Sequence, residues 1–405
     1  MVFMDFPLKG LSYETVQQRL KEFETKSRMT PADMDKRIDG TYHMYGMPEV
    51  KKLAGEAFVR FMESEPVWIA EEGVWQMERE VISMLAKLWG SENASGFMTA
   101  GGTESNITAL YASRNLAKGK RGSVVLPSTA HPSFFKGCYL LGLEPITVPV
   151  RDDFVADPER MKKAIRDDTI AIAASLGTWP WGTIDPIEEI GEIAEEKSLY
   201  FHIDGSVGGL LCPWLKGESG YDIPEFGFKV KGVSSIGSDP HKMGYAVPPA
   251  GAMVFRDEEH KKLASWAYTE SGHTHYATYG VLGTRPGSTI AMTWSLFNHL
   301  GRDGYTRLAR KCMELVKSFL DGVDTIPGLS RLTTPKVNLA SVYSPTLNMD
   351  LIKRKLTDRG WMFCRSDGKP MTRENLITAW LMPYNEKVVP TFIDDLREVA
   401  KSVKS

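Results

Sequence analysis

Apolar positions recur at helical spacing over residues 80–89 (EVISMLAKLW) and again over 104–118, which predicts two amphipathic helices. Beyond them the pattern changes. Short apolar runs rich in β-branched residues occupy 123–126, 145–150, 169–174, 200–203, 233–236 and 251–255, each the length of a buried strand. Helix-period segments at 158–166 and 186–197 separate several of them, opening on Pro158 and Pro186. A first helical turn tolerates proline because its N–H would be unpaired there anyway. Strand and helix in alternation imply an α/β fold with a mostly parallel sheet covered by helices on both faces. The ends read differently. Residues 1–60 are polar with helical stretches at 13–26 and 49–62, and predict an N-terminal arm. After Gly287 a helical run from 288 to about 320 leads into a final α/β segment ending at 388–403. The expected organisation is an arm (1–60), a large domain (61–301) and a small C-terminal α/β domain (302–405), with the last boundary near Gly301–Gly304.

Composition narrows the function. The 405 residues are 42% apolar and 25% charged, the balance of an ordinary globular protein. Lys and Arg number 49 against 51 Asp and Glu, a formal net charge of -2. With no long basic run, nonspecific nucleic-acid binding is excluded as the main task. No stretch approaches the ~18 continuous apolar residues of a membrane-spanning helix, so no membrane partner is expected. Residues 1–20 lack the apolar core and cleavage site of a secretory signal. Four cysteines, Cys138, Cys212, Cys312 and Cys364, lie far apart without a CxxC pair. That spacing suits reduced thiols in a cytoplasmic protein better than a disulfide frame or zinc site.

Five motifs carry candidate chemistry. TAGGTESN (99–106) places Gly101, Gly102 and Thr103 ahead of a helix. Glycines let backbone N–H groups approach an anion, and the helix adds its positive end; a plain turn and cap would look the same. YFHIDGSVGG (200–209) ends a buried strand in Asp204. Ligands of open parallel sheets bind at the carboxyl ends of strands, and an acid buried there needs a cation or donors. The alternatives are a helix cap and a metal pair with His202, for which no third ligand is evident. SDPHKMGY (238–245) carries Lys242 in an apolar, glycine-flanked loop, with His241 as a phosphate contact or proton-handling group. Desolvation favours the neutral amine that attacks an aldehyde, whereas a solvated loop lysine would do nothing. His131, in STAHP, follows the strand at 123–126. Tyr276 lies in HTHYATYGVLGTRPG, a glycine-rich stretch of the kind that covers sites. His273 and His275 there could imitate a metal pair but lack partners.

Together these residues suit one ligand with a phosphate, an aromatic ring, a basic ring nitrogen and an aldehyde, which is pyridoxal 5'-phosphate. Gly101, Gly102 and Thr103 would take the phosphate, His131 a ring face, Asp204 the pyridinium and Lys242 the aldehyde.

In this order and spacing, TAGGTES, STAH, HIDGSVGG and SDPHK resemble fold-type I pyridoxal-phosphate enzymes of the group II decarboxylase family. The resemblance runs from about Gly40 to the C-terminus. It implies that Lys242 is the Schiff-base lysine, Asp204 the ring-nitrogen partner and His131 the stacking histidine, with Gly102, Thr103, Ser206 and His241 near the cofactor. It also implies that Tyr276 is the loop tyrosine and Thr284 a phosphate contact given across a homodimer interface, with active sites between subunits.

Two branches of the family are similar to this chain, sphingosine-1-phosphate lyases and archaeal tyrosine/aspartate decarboxylases. FGFKVKGVSSIG, WPWGTIDP and GTRPG look closer to the lyases. Members of that branch resemble one another in a second lysine six residues past the first, and Pro248 stands at that position here. EPVWIAEE (65–72) likewise replaces their Asn-Pro…His-Pro segment. The expected function is therefore decarboxylation of an L-amino acid, with Tyr276 as proton donor. The alternative is retro-aldol cleavage to an aldehyde and phosphoethanolamine. Trp68, Trp75, Trp179 and Trp181 could shape the substrate pocket or simply pack, and the acidic pair Glu71–Glu72 would suit a neutral or cationic substrate group.

Overall fold

A computed structural model describes residues 9–27, 29–65, 72–119, 121–268, 276–366 and 376–403. The chain enters through three helices, α1 (Tyr13–Lys26), α2 (Pro31–Met34) and α3 (Pro48–Arg60). Ser12 caps α1 by accepting from Thr15 N, and none of the helix's residues is buried. The segment between α2 and α3 is anchored: Ile38 is fully buried, and Arg37 and Asp39 make β-bridges to Met362 and Trp380. Part of the expected arm thus lies along the C-terminal sheet.

The central unit runs α4 (Glu72–Leu88), β1 (Ser95–Thr99), α5 (Gly102–Leu116), β2 (Ser123–Pro127), α6 (Pro132–Leu141), β3 (Glu144–Val148), α7 (Pro158–Ala164), β4 (Thr169–Ser175), α8 (Ile187–Glu196), β5 (Tyr200–Gly205), α9 (Cys212–Leu215), β6 (Val233–Ser238) and β7 (Gly251–Phe255). Its seven strands form one sheet in the order β1-β7-β6-β5-β4-β2-β3. Only β7 runs against the others, pairing antiparallel with both β1 and β6. Every residue of β5, β6 and β7 is buried, because helices cover both faces of the sheet. On one face Val125, Ile172, Phe201, Ile203 and Ile236 join the main core. On the other, Leu110, Val124, Leu126, Phe134, Ala173 and Tyr200 form a second cluster.

Two local features differ from the sequence pattern. Residues 95–99, which the pattern gives no strand, form β1. The run SGFMT has no β-branched residue before Thr99, and its partner β7 lies some 150 residues away, so nothing local marks it. Pro158 opens α7 behind an Asp157 cap as expected, whereas Pro186 is itself the cap of α8. The boundary expected near Gly301–Gly304 lies at the break between two helical segments at Gly301.

After β7 come α10 (Glu258–Lys262) and the hairpin β8 (Ser265–Tyr268)–β9 (Tyr276–Tyr279). The 38-residue α11 (Gly287–Asp324) breaks only at Gly301, with φ 56 and ψ −172. A side chain would be strained at that φ. Beyond it, β10 (Ser330–Arg331), β11 (Leu339–Tyr343), α12 (Met349–Asp358), β12 (Cys364–Ser366), β13 (Leu376–Trp380) and α13 (Val388–Ser402) complete an antiparallel sheet in the order β10-β11-β13-β12. A buried ion pair fixes α11 to the large sheet: Arg285 donates to the Glu78 carboxylate and, at 2.8 Å, to Met98 O. Among the described residues no helix is long and apolar enough to cross a membrane.

Candidate active site

Because β2, β4, β5 and β6 run parallel, their carboxyl ends open on one edge of the sheet, and β1 ends there too. The turn from β1 into α5 carries Gly101–Thr103, the loop after β2 carries His131, the end of β5 carries Asp204 with Ser206 just beyond, and the loop after β6 carries Asp239–Lys242. They enclose a cavity of about 950 Å³ lined by Gly101, Gly102, Thr103, His131, Asp204, Ser206, His241 and Lys242. Eight positions singled out in the sequence thus converge. Phe135, Trp179, Trp181 and Trp380 supply aromatic walls, and Lys136 also faces this space. Val281 and Leu282, just past β9, close one side.

Thr284 is exposed and does not line the cavity of its own chain. Tyr276 opens β9, but its side chain lies outside the described part, as do Trp68, Glu71, His273 and His275. Trp75 lines a separate cleft with Glu78 and Arg285.

Asp204 is 7% exposed. Its Oδ1 accepts from Ser206 N at 3.0 Å and its Oδ2 from Asn106 Nδ2 at 2.9 Å. Burial opposes ionisation, but the bonds from Ser206 and Asn106 and the charge of Lys242 outweigh it and hold the carboxyl below its usual range. Asp204 therefore presents a buried anion and does not cap a helix. His202, its suspected metal partner, is engaged elsewhere: Nδ1 meets Ser235 Oγ at 2.8 Å and Nε2 meets Asn106 Oδ1 at 3.0 Å. Burial lowers its pKa to about 4, so the ring is neutral.

Lys242 Nζ lies 2.8 Å from Asp239 Oδ2, a carboxylate only 2% exposed, and 6.0 Å from the Trp380 ring centroid. His241 Nδ1 accepts from Ala250 N at 3.3 Å, and its Nε2 is 3.5 Å from Asp239. Burial and the neighbouring Lys242 charge depress the His241 pKa against the opposing pull of Asp239. His131 caps α6, its Nδ1 accepting from Ser133 N.

The N-terminus of α5 has no side-chain cap, so its first N–H groups and positive end face the cavity edge. Glycine is required at position 102, where a Cβ would stand 2.2 Å from Ser206 Oγ. Glu104 braces this corner: Oε2 accepts from Ala100 N at 2.7 Å, and Oε1 from Val281 N and Leu282 N at 3.2 and 3.1 Å.

Asn106, Ser133, Asp239 and Trp380 were not singled out from sequence. Asn106 and Asp239 sit inside the quoted motifs, three residues from Thr103 and Lys242 respectively, but nothing local separates them from an ordinary helix-face amide and loop acid. Trp380 comes from the far sheet, so only the folded chain puts it beside Lys242.

A lysine, an ionised aspartate and an uncapped helix end at the strand termini of an α/β sheet define the class of fold-type I pyridoxal-phosphate proteins. Residues 61–342 match the pyridoxal-dependent decarboxylase conserved domain, and the chain belongs to that family of lyases. It is 35% identical over 402 residues to a probable L-aspartate decarboxylase of Pyrococcus abyssi, covering 98% of this chain and 99% of that one. It is 32% identical to a sphingosine-1-phosphate lyase of Arabidopsis thaliana over 98% of this chain and 74% of the relative. The solved sphingosine-1-phosphate lyase of Burkholderia pseudomallei superposes with a TM-score of 0.93 at 26% identity, covering 99% and 93% of the two chains.

Proposed function

We propose that the chain decarboxylates an L-amino acid in the cavity above β4, β5 and β6, using pyridoxal phosphate. The residues present fit that group: an amine on Lys242, an ionised acid at Asp204 and free N–H donors at the start of α5 match its aldehyde, ring nitrogen and phosphate. When bound, it supplies an electron sink for the pair released as the α-carboxylate leaves.

The protein's own groups do the rest. Lys242 would tether the cofactor through Nζ. Asp204 would hold a proton on the ring nitrogen, which requires the carboxyl to stay ionised while buried. Gly101, Gly102, Thr103, Ser206 and His241 would receive the phosphate, and His131 would pack on the ring. Tyr276 would deliver a proton to the substrate's α-carbon from its phenol. Thr284, exposed and outside its own cavity, would reach the phosphate site of the other subunit in a cytoplasmic homodimer. Lys136 faces the cavity as an additional cation and supports a substrate with an acidic side chain, such as L-aspartate.

The convergence of Lys242, Asp204, His131 and the α5 N-terminus on one cavity carries this reading. Pro248, where the lyase pattern has its second lysine, removes an ammonium that would hold a substrate phosphate. Retro-aldol cleavage is the second reading, favoured by the 0.93 TM-score to the Burkholderia lyase. Mass-spectrometric product analysis separates them, with pooled L-amino acids in one sample and a phosphorylated sphingoid base in another. Carbon dioxide and a new amine are expected. A long-chain aldehyde with phosphoethanolamine would select the second reading, and no product from either sample would reject both.

A further inference from the structure

We infer that Asn106 is a positioning residue that fixes the hydrogen-bonding state of Asp204 and His131 together, keeping Asp204 an acceptor and leaving the His131 proton on Nε2. The inference rests on the proposed cofactor roles of those two residues. Asn106 is fully buried on the first turns of α5. Its Nδ2 is 2.9 Å from both Asp204 Oδ2 and Ser133 Oγ, and its Oδ1 is 3.0 Å from His202 Nε2.

The directions of these bonds follow from chemistry. An ionised carboxylate only accepts, so the amide must turn Nδ2 toward Asp204 and Oδ1 toward His202. A flipped amide would set its oxygen against the carboxylate. His202 must then donate from Nε2, and the neutral ring accepts at Nδ1 from Ser235 Oγ, 2.8 Å away. The second Nδ2 proton goes to Ser133 Oγ, so the Ser133 hydroxyl is left to donate to His131 Nδ1 at 2.8 Å. Ser133 N donates to the same nitrogen at 3.2 Å. With Nδ1 accepting twice, the His131 ring carries its proton on Nε2. One amide thus uses both of its hydrogens to set two cavity groups, and the buried pair Ser235–His202 stops it from turning.

Imidazole nitrogen-15 spectra of the full-length chain, cofactor-free and cofactor-bound, test this, with His131→Gln to assign the signals. Wild-type protein is expected to show His131 protonated at Nε2 and unprotonated at Nδ1. Asn106→Ala should shift the His131 Nδ1 signal, because the Ser133 hydroxyl loses the donor that turns it toward the ring, and should weaken pyridoxal phosphate binding about tenfold or more, because Asp204 loses a donor. Ser133→Ala should shift the His131 Nδ1 signal while the proton stays on Nε2, since Ser133 N still donates to Nδ1, and should hold cofactor affinity within about threefold, since the bond to Asp204 is intact. A wild-type proton on Nδ1 would overturn the inference, as would an unchanged His131 Nδ1 signal in folded Asn106→Ala. If Asn106→Ala does not fold, the wild-type spectrum and Ser133→Ala decide. Lack of decarboxylation beside the expected spectra would reject the proposed function and leave this inference standing.

Discussion

Two aspartates buried at neighbouring strand ends meet opposite fates. Asp204 lies at the carboxyl end of β5 and faces the cavity; Asp185 sits in the turn after β4, where Ile184 bridges back to Leu176. Each accepts two hydrogen bonds, Asp185 from Ser175 N at 2.8 Å and Ala156 N at 2.9 Å. Yet burial raises the Asp185 pKa to about 6 despite those donors, whereas Asp204 is held below its usual range. The difference lies in what surrounds them. Asp204 takes a side-chain amide as well as Ser206, and it feels the charge of Lys242. Asp185 has only backbone donors at hydrogen-bond distance, with Arg151 acting weakly from further away. Backbone N–H groups position a buried acid; a nearby cation and a side-chain donor keep it charged. The first arrangement suits a corner that shapes the Trp179–Trp181 wall, the second a site that must hold a proton on a ligand.

Breaking the cation side of this comparison has the largest effect. Lys242→Ala is expected to abolish the visible absorbance of the cofactor-loaded protein and cut activity on the order of 10⁴-fold or more. A variant that kept the native band would show that Lys242 is not the tether. Asp204→Asn removes the charge with little change of shape. Steady-state kinetics should then fall about 10²–10³-fold, the scale of losing one preorganised electrostatic group.

Asp185→Asn sharpens the other half through stability. A carboxyl whose folded pKa is raised binds its proton more tightly when folded, so its contribution declines as pH rises from about 4 to about 6. A shift of this size corresponds to about 3 kcal/mol. The variant is expected to be less stable at low pH, with that deficit narrowing across the same window in denaturant titrations. Asp204 has the opposite sign: its contribution is present at neutral pH and lost only as pH falls below the usual carboxylate range. Lys136→Ala should have the smallest effect, raising KM for L-aspartate about tenfold while leaving kcat nearly unchanged.

Much of this site was legible in the chain because its residues sit where strand patterns end. Asp204 closes a strand-length run, Lys242 follows another, and Gly101–Gly102 open a helix, so each position in the fold could be read locally. Asn106 could not be recognised this way. Its role depends on three side chains, one from α6 and two from β5, that meet it only in the folded protein. Trp380 and the strand β1 were hidden for the same reason, since their partners lie far along the sequence. The opposed states of Asp185 and Asp204 were also invisible, because both appear simply as an acid after a strand.

The central claim is that the cavity holds a buried carboxylate ionised, ready to keep a proton on the cofactor ring. Carbon-13 carboxyl shifts of aspartate-labelled protein, assigned with Asp204→Asn and Asp185→Asn, test it directly. Asp185 should titrate with a midpoint near 6 while Asp204 stays at its ionised shift through that range. If Asp204 instead protonates alongside Asp185, the network does not overcome burial and the account is contradicted.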